Sequence, residues 1–155
     1  MTQIKSEILI VDDNPENLQV LSTMLQSEGF TVRAAKNGKQ AMASIESAEP
    51  DMLLLDVHMP EMSGFELCET IKANARYKNL PIIFISALGD SFNKIKGFEA
   101  GAVDYMTKPF DVREVKVRVD THLKLRASLL ELDRLKTKLQ EKDDQIKALE
   151  KRLEK

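Results

Sequence analysis

The chain contains no tryptophan, and aromatic residues make up only 5% of it, so any core has to be assembled from aliphatic side chains. Its single cysteine, Cys68, excludes an internal disulfide framework. No stretch approaches the roughly 18 consecutive apolar residues that a membrane-spanning helix requires, and the start MTQIKSE lacks the apolar run of a signal peptide. A cytoplasmic protein with no membrane partner is the expectation. Charge of one sign is also missing: a formal net charge of -2 and a pI near 5.8 give no global attraction to nucleic acid, so no direct nucleic-acid partner is expected. Glycine and proline disappear altogether from Asp111 to Lys155. Nothing in that stretch stops a helix.

What is present is a 155-residue chain with 43% hydrophobic residues, enough for one ordinary core and an appendage. Short apolar runs recur at ILIV (8–11), FTVRAA (30–35), MLLLDV (52–57), IIFISA (82–87) and VDYM (103–106), which predicts five strands. The segments between them carry helical spacing and terminal signals. Asn14 with Pro15 opens the first helix and Gly29 ends it; Asn37 caps the second. Ser63 with Glu66, and Asp111 with Glu114, open the third and fifth, while Asp90 or Ser91 opens the fourth and Gly101 closes it. The result is an α/β fold, (βα)5, with a doubly wound parallel sheet. The near-continuous apolar character of the first, third and fourth strands fits a sheet covered on both faces.

The first strand ends in Asp12 and Asp13, and the third in Asp56. In a doubly wound sheet ligands bind beyond the carboxyl ends of the strands, so if these two strands are neighbours the acids converge there. Such a cluster needs a shared positive charge to offset its repulsion. All-oxygen donors suit a hard cation, and Mg2+ commonly takes a few carboxylates while keeping several waters. Ser86 and Lys108, at the ends of the fourth and fifth strands, add a hydroxyl and an ammonium on the same edge, a combination suited to a tetrahedral anion.

From Asp111 onward the helix has no reason to stop, and about 45 residues would extend roughly 67 Å. Leu125, Leu132, Leu139, Ile146 and Leu153 fall at heptad position a, with Ser128, Leu135, Lys142 and Leu149 at d. This seam of about four heptads calls for a partner helix. In a parallel dimer Glu131 faces Lys136 and Lys138 faces Asp143 of the other chain; both pairs attract, each by only about 0.3–0.5 kcal/mol. A homodimer through a parallel coiled coil is expected. His122, where the seam begins, reads as a surface residue. Cys68, Met24, Met42, Met59 and Met62 read as packing residues.

The motifs IVDDN (10–14), LLLDVHMPEMSG (53–64), IFISA (83–87) and DYMTKPF (104–110), in this order, resemble the response-regulator receiver domain of two-component signalling over about the first 120 residues. The resemblance implies a flavodoxin-like sheet of order 2-1-3-4-5, a receiver at 1–120 and a coiled-coil helix at 121–155 continuous with the fifth helix. It implies that Asp56 accepts a phosphoryl group from a sensor histidine kinase or phosphotransfer protein. It further implies that Asp12, Asp13, Asp56 and the main-chain carbonyl of His58 hold Mg2+, Asp12 mainly through water. Ser86 and Lys108 would hold phosphoryl oxygens, a cis peptide would join Lys108 to Pro109, and Ser86 with Tyr105 would form the switch. His58 and Leu88 occupy the positions that tune the lifetime of the phosphoryl group in this family. The chemistry would be that of a self-resetting phosphoacceptor rather than an enzyme acting on other molecules. Two other readings compete: a constitutive dimerisation scaffold with a silent receiver, and a Mg2+-dependent phosphohydrolase. The second lacks the split D-x-D nucleophile motif.

Overall fold

Side-chain alternation along the central strands decides the layering. In the computed structural model, which describes residues 6–87 and 94–154, β1 (Glu7–Val11), β2 (Thr31–Ala35), β3 (Met52–Asp56), β4 (Ile82–Ala87) and β5 (Asp104–Lys108) form one parallel sheet in the order β2-β1-β3-β4-β5. Leu9, Val11, Leu53, Leu55, Ile82 and Phe84 point to one face, where they meet Ala41 and Ile45 of α2 (Gly38–Ser47) and Leu67, Cys68 and Ile71 of α3 (Gly64–Lys72). Ile8, Ile10, Met52, Leu54, Ile83 and Ile85 point to the other. There they meet Leu18, Leu21 and Leu25 of α1 (Pro15–Ser27) and Val115 and Val119 of α5 (Val112–Leu153). A strand buried on both faces has no polar side to show, which is why β1, β3 and β4 read as unbroken apolar runs.

The terminal signals act as their chemistry requires. The side chains of Asn14, Asn37, Ser63 and Asp111 accept from the backbone N–H groups of Glu16, Gln40, Glu66 and Arg113 respectively, each satisfying an otherwise orphaned donor of a first helical turn. Gly29, at φ +93°, takes the left-handed position just past α1. The fourth helix, α4 (Lys94–Ala100), ends before Gly101 as expected; its expected openers Asp90 and Ser91, like Leu88, lie outside the described residues.

Two details differ from the sequence reading. The fifth strand starts at Asp104 and reaches Lys108, later than the apolar run 103–106, because the register of an edge strand is set by its one neighbour: Ile83 pairs with Asp104 and Ala87 with Lys108. A short 3-10 helix, Ala75–Tyr77, precedes β4 and buries Tyr77 at 2% exposure.

α5 runs unbroken for 42 residues, about 63 Å at 1.5 Å per residue. No helix among the described residues is long and apolar enough to cross a membrane. Leu54, wholly buried at the centre of β3 between β1 and β4, tests the packing. Leu54→Ala is expected to lose about 3 kcal/mol of stability, read from the urea midpoint, because a two-sided sheet cannot collapse into the cavity.

Candidate functional site

Because β1 and β3 are direct neighbours, with Val11 paired to Leu55, the residues that follow them emerge side by side at the carboxyl edge of the sheet. The carboxylates of Asp12, Asp13 and Asp56 each bring an oxygen within 4.8 Å of the others, with Asp12 and Asp56 buried and Asp13 exposed. β4 delivers Ser86, 2% exposed, one residue beyond the Asp56–Ile85 pair. β5 delivers Lys108, whose Nζ stands 3.2 Å from Asp12 Oδ2 and 3.7 Å from Asp56 Oδ2. The peptide joining Lys108 to Pro109 is cis, as the family resemblance implied. The loop after β3 is held tightly against the strand end: the Gly64 N–H donates to the Val57 carbonyl at 2.9 Å, and a Cβ on Gly64 would lie 2.3 Å from the Asp56 carbonyl oxygen. Only glycine fits there. His58 presents its side chain to solvent, while its N–H makes a long 3.4 Å contact to Asp56 Oδ1.

The electrostatics of the cluster are unbalanced. Burial, then the Asp12 charge, pushes the Asp56 carboxyl up from its ordinary 3.8 to about 6, against the opposing pull of Lys108 and the His58 N–H. Asp12 Oδ1 accepts from the Asn14 N–H at 2.9 Å. Asp12 Oδ2 is buried without a hydrogen bond; Lys108 is close to it but not aligned to donate. Three carboxylates opposed by one ammonium, with an orphaned oxygen among them, form a donor set that fits a hard divalent cation.

Tyr105 sits half-buried on β5 with the Lys94 ammonium 4.6 Å and the Arg118 guanidinium 6.0 Å from its ring centre. The sequence reading missed the polar network below it. Asp104 accepts both of its short bonds from Arg118 Nη1, at 2.6 and 2.7 Å, and lies 3.0 Å from His122 Nε2. Burial alone would raise the Asp104 carboxyl; the Arg118, Tyr105 N–H and His122 hydrogen bonds hold it below the usual carboxylate range. His122, expected at the surface, therefore has a side chain only 14% exposed, since Asp104 gives its ring nitrogen a partner that water would otherwise supply. Further along, Arg126 reaches Asp51 at 3.1 Å and Glu49 at 3.4 Å. The spacing Arg118, His122, Arg126 placed these side chains on one helix edge and was the available signal.

The raised Asp56 carboxyl has a consequence for stability. The native state binds this proton more tightly than the unfolded chain does, so Asp56 takes stability away as pH rises from about 4 through 6, and the loss persists above. Asp56→Asn is expected to raise the stability of the Mg2+-free protein by about 1–3 kcal/mol at pH 7.5. In thermal melts the gap should close as pH is lowered toward 4, and should narrow when Mg2+ is added to the native chain.

Known proteins resemble this chain in sequence and fold. The model of the response regulator receiver domain matches residues 8–120. The chain is 38% identical over 128 residues to the DNA-binding dual master transcriptional regulator RpaA of Synechocystis, covering 83% of this chain and 51% of that one. It is 34% identical over 124 residues to the DNA-binding response regulator MtrA of Mycolicibacterium smegmatis, covering 80% and 53%. The chain thus spans about half the length of these curated relatives. The crystal structure of the Vibrio cholerae chemotaxis protein CheY4 superposes with a TM-score of 0.71 at 30% identity, over 76% of this chain and 98% of that one. Strand order, acidic edge and matched residues agree, and the chain belongs to the response regulator receiver domain family of two-component systems.

Proposed function

We propose that this chain is a phosphorylation-dependent switch in which Asp56 accepts a phosphoryl group from the phosphohistidine of a sensor kinase or phosphotransfer protein. The observation that carries the reading is the convergence of Asp12, Asp13 and Asp56 around Lys108 at one sheet edge. Asp12, Asp13, Asp56 and the His58 main-chain carbonyl would hold Mg2+, which when bound supplies positive charge to the phosphoryl oxygens as they move. An Asp56 carboxylate oxygen attacks phosphorus; the new P–O bond forms as the bond to the donor imidazole nitrogen breaks, and that nitrogen keeps the electron pair. Lys108 holds one phosphoryl oxygen with its ammonium and Ser86 another with its hydroxyl. Water attacking phosphorus in line later breaks the bond to the Asp56 oxygen, which restores the carboxylate and releases inorganic phosphate. On this reading the chain catalyses only its own loading and resetting, in the cytoplasm, and acts on no external substrate.

The state of Asp56 would pass through Ser86 and Tyr105 to the face made by α4, β5 and α5, and from there into a parallel coiled coil of two copies. Residues 1–120 serve as receiver and 121–155 as dimerisation helix in this reading. Its support is the apolar stripe: Leu125, Leu132, Leu139, Ile146 and Leu153 are each more than half exposed in the single chain. Burying such a side chain is worth about 1.5–3 kcal/mol, which a lone helix forgoes.

Treatment with acetyl phosphate and Mg2+ is expected to add one phosphoryl group per chain, seen by intact-mass measurement, and Asp56→Asn is expected to abolish it. Uptake persisting in that variant would defeat the assignment. Leu132→Glu combined with Leu139→Glu is expected to turn a dimer into a monomer by light scattering while leaving phosphoryl uptake unchanged. A dimer that survives both changes would remove the coiled coil from the account.

A further inference from the structure

α5 is tied to the sheet by two partly buried ionic anchors, one on β5 and one in the turn that leads into β3. The first is Arg118 with His122, bound to Asp104 at the start of β5. The second is Arg126, its side chain 12% exposed, bound to Glu49 and Asp51 in the turn before β3. Asp51 also accepts the Glu7 N–H at 2.7 Å, so the second anchor joins the starts of both β1 and β3. These two strands are flanked on both sides within the sheet, whereas β5 is an edge strand paired only with β4. β5 is also the strand that carries Tyr105 and Lys108. Alongside the anchors, α5 meets the sheet through Val115, Val119 and Leu123, aliphatic contacts without directional preference.

We propose that Arg126 is a fulcrum: when β5 shifts relative to β1 and β3, the receiver and α5 tilt against one another about the Arg126–Glu49–Asp51 cluster, and the distal helix multiplies the shift. This rests on the reading of Asp56 as phosphoacceptor, which supplies the cause of the shift. The arm from Arg118 to Arg126 is 8 residues, about 12 Å, and that from Arg126 to Leu153 is 27 residues, about 40 Å. A displacement of 1 Å at Arg118 becomes roughly 3 Å at the far end, in the opposite direction. Beyond the fulcrum Asp133 meets Asn79 at 2.8 Å and Lys78 at 3.5 Å, but Asp133 is 41% and Lys78 65% exposed, so this contact gives way before the buried arginine does. In a coiled-coil dimer the helices hold each other, and the same motion appears as a swing of each receiver about Arg126.

Pulsed electron–electron resonance between spin labels at Gln19→Cys on α1 and Lys151→Cys on the distal helix tests this. Labelled chain is diluted into unlabelled chain so that only distances within one chain are read; buried Cys68 stays unmodified. Beryllofluoride with Mg2+ is the phosphoryl mimic, and its fluorine resonance on the same sample reports loading. The expected result is a shift of the mean distance by about 2–3 Å on loading, and loss of most of that shift in Arg126→Gln with loading unchanged. Glu49→Gln combined with Asp51→Asn, which keeps the arginine and removes its partners, is expected to lose the shift in the same way. A fully loaded native chain with no shift, or either variant transmitting the native shift, overturns the fulcrum. Absence of the fluorine resonance from the native chain instead defeats the phosphoacceptor reading, and the fulcrum loses its cause with it.

Discussion

Like-charge repulsion at the carboxyl edge of the sheet is the constraint around which this molecule is arranged. Asp12, Asp13 and Asp56 are brought together only because β1 and β3 are adjacent, and that adjacency is fixed by apolar contacts far from the charges. Burial keeps Asp12 and Asp56 out of the water that would screen them. One lysine answers three acids, so the site is left in deficit, which is the condition for attracting a divalent cation. A fold that simply minimised its own energy would place an apolar residue or a second lysine here; the deficit marks a site shaped for function.

Much of this was legible from sequence because the decisive signals are local. An apolar run followed by an acid places a carboxylate at a strand end, and Asn14, Asn37, Ser63 and Asp111 announce helix starts within a few residues of where they act. The site needed only those ends and the strand order. What escaped was long-range and polar. Arg126 finds Asp51 across 75 positions, and no periodicity says which arginine on a charged helix will be buried. His122 was misplaced for the same reason: its partner Asp104 lies 18 residues away on an edge strand whose register depends on β4. The 3-10 helix at Ala75–Tyr77 is too short to carry a periodic signal at all.

α5 solves a geometrical problem that its sequence states compactly. Two of the side chains that meet the receiver, Arg126 and Asp133, each follow by one position a residue of the exposed stripe, Leu125 and Leu132. One residue on an α-helix turns the direction by about 100°. The stripe and the body-facing edge therefore run side by side along the helix and meet at Leu125, which with Arg126 and Leu129 lines a cleft against Lys72 and Leu80.

The energetic logic of the proposed switch follows from where Lys108 and Asp104 sit. They are the two ends of β5, a strand of five residues, so a force on one end is felt at the other through covalent backbone and its ladder to β4. Converting the Asp56 carboxylate to an acyl phosphate would raise the charge facing Lys108, and the ammonium, already 3.7 Å from Asp56, is the mobile cation best placed to respond. Displacing a strand held on both sides would break two ladders; an edge strand has only one to strain. A two-state element of this kind needs about 5.5 kcal/mol of differential interaction to pass from 1:99 to 99:1. Charge-assisted bonds formed in a site that begins with a buried oxygen lacking a hydrogen bond are of that order when two or three are made together. In the proposed switch, placing the cation on an edge strand is what would let a local change of charge at the sheet edge become motion of the helix.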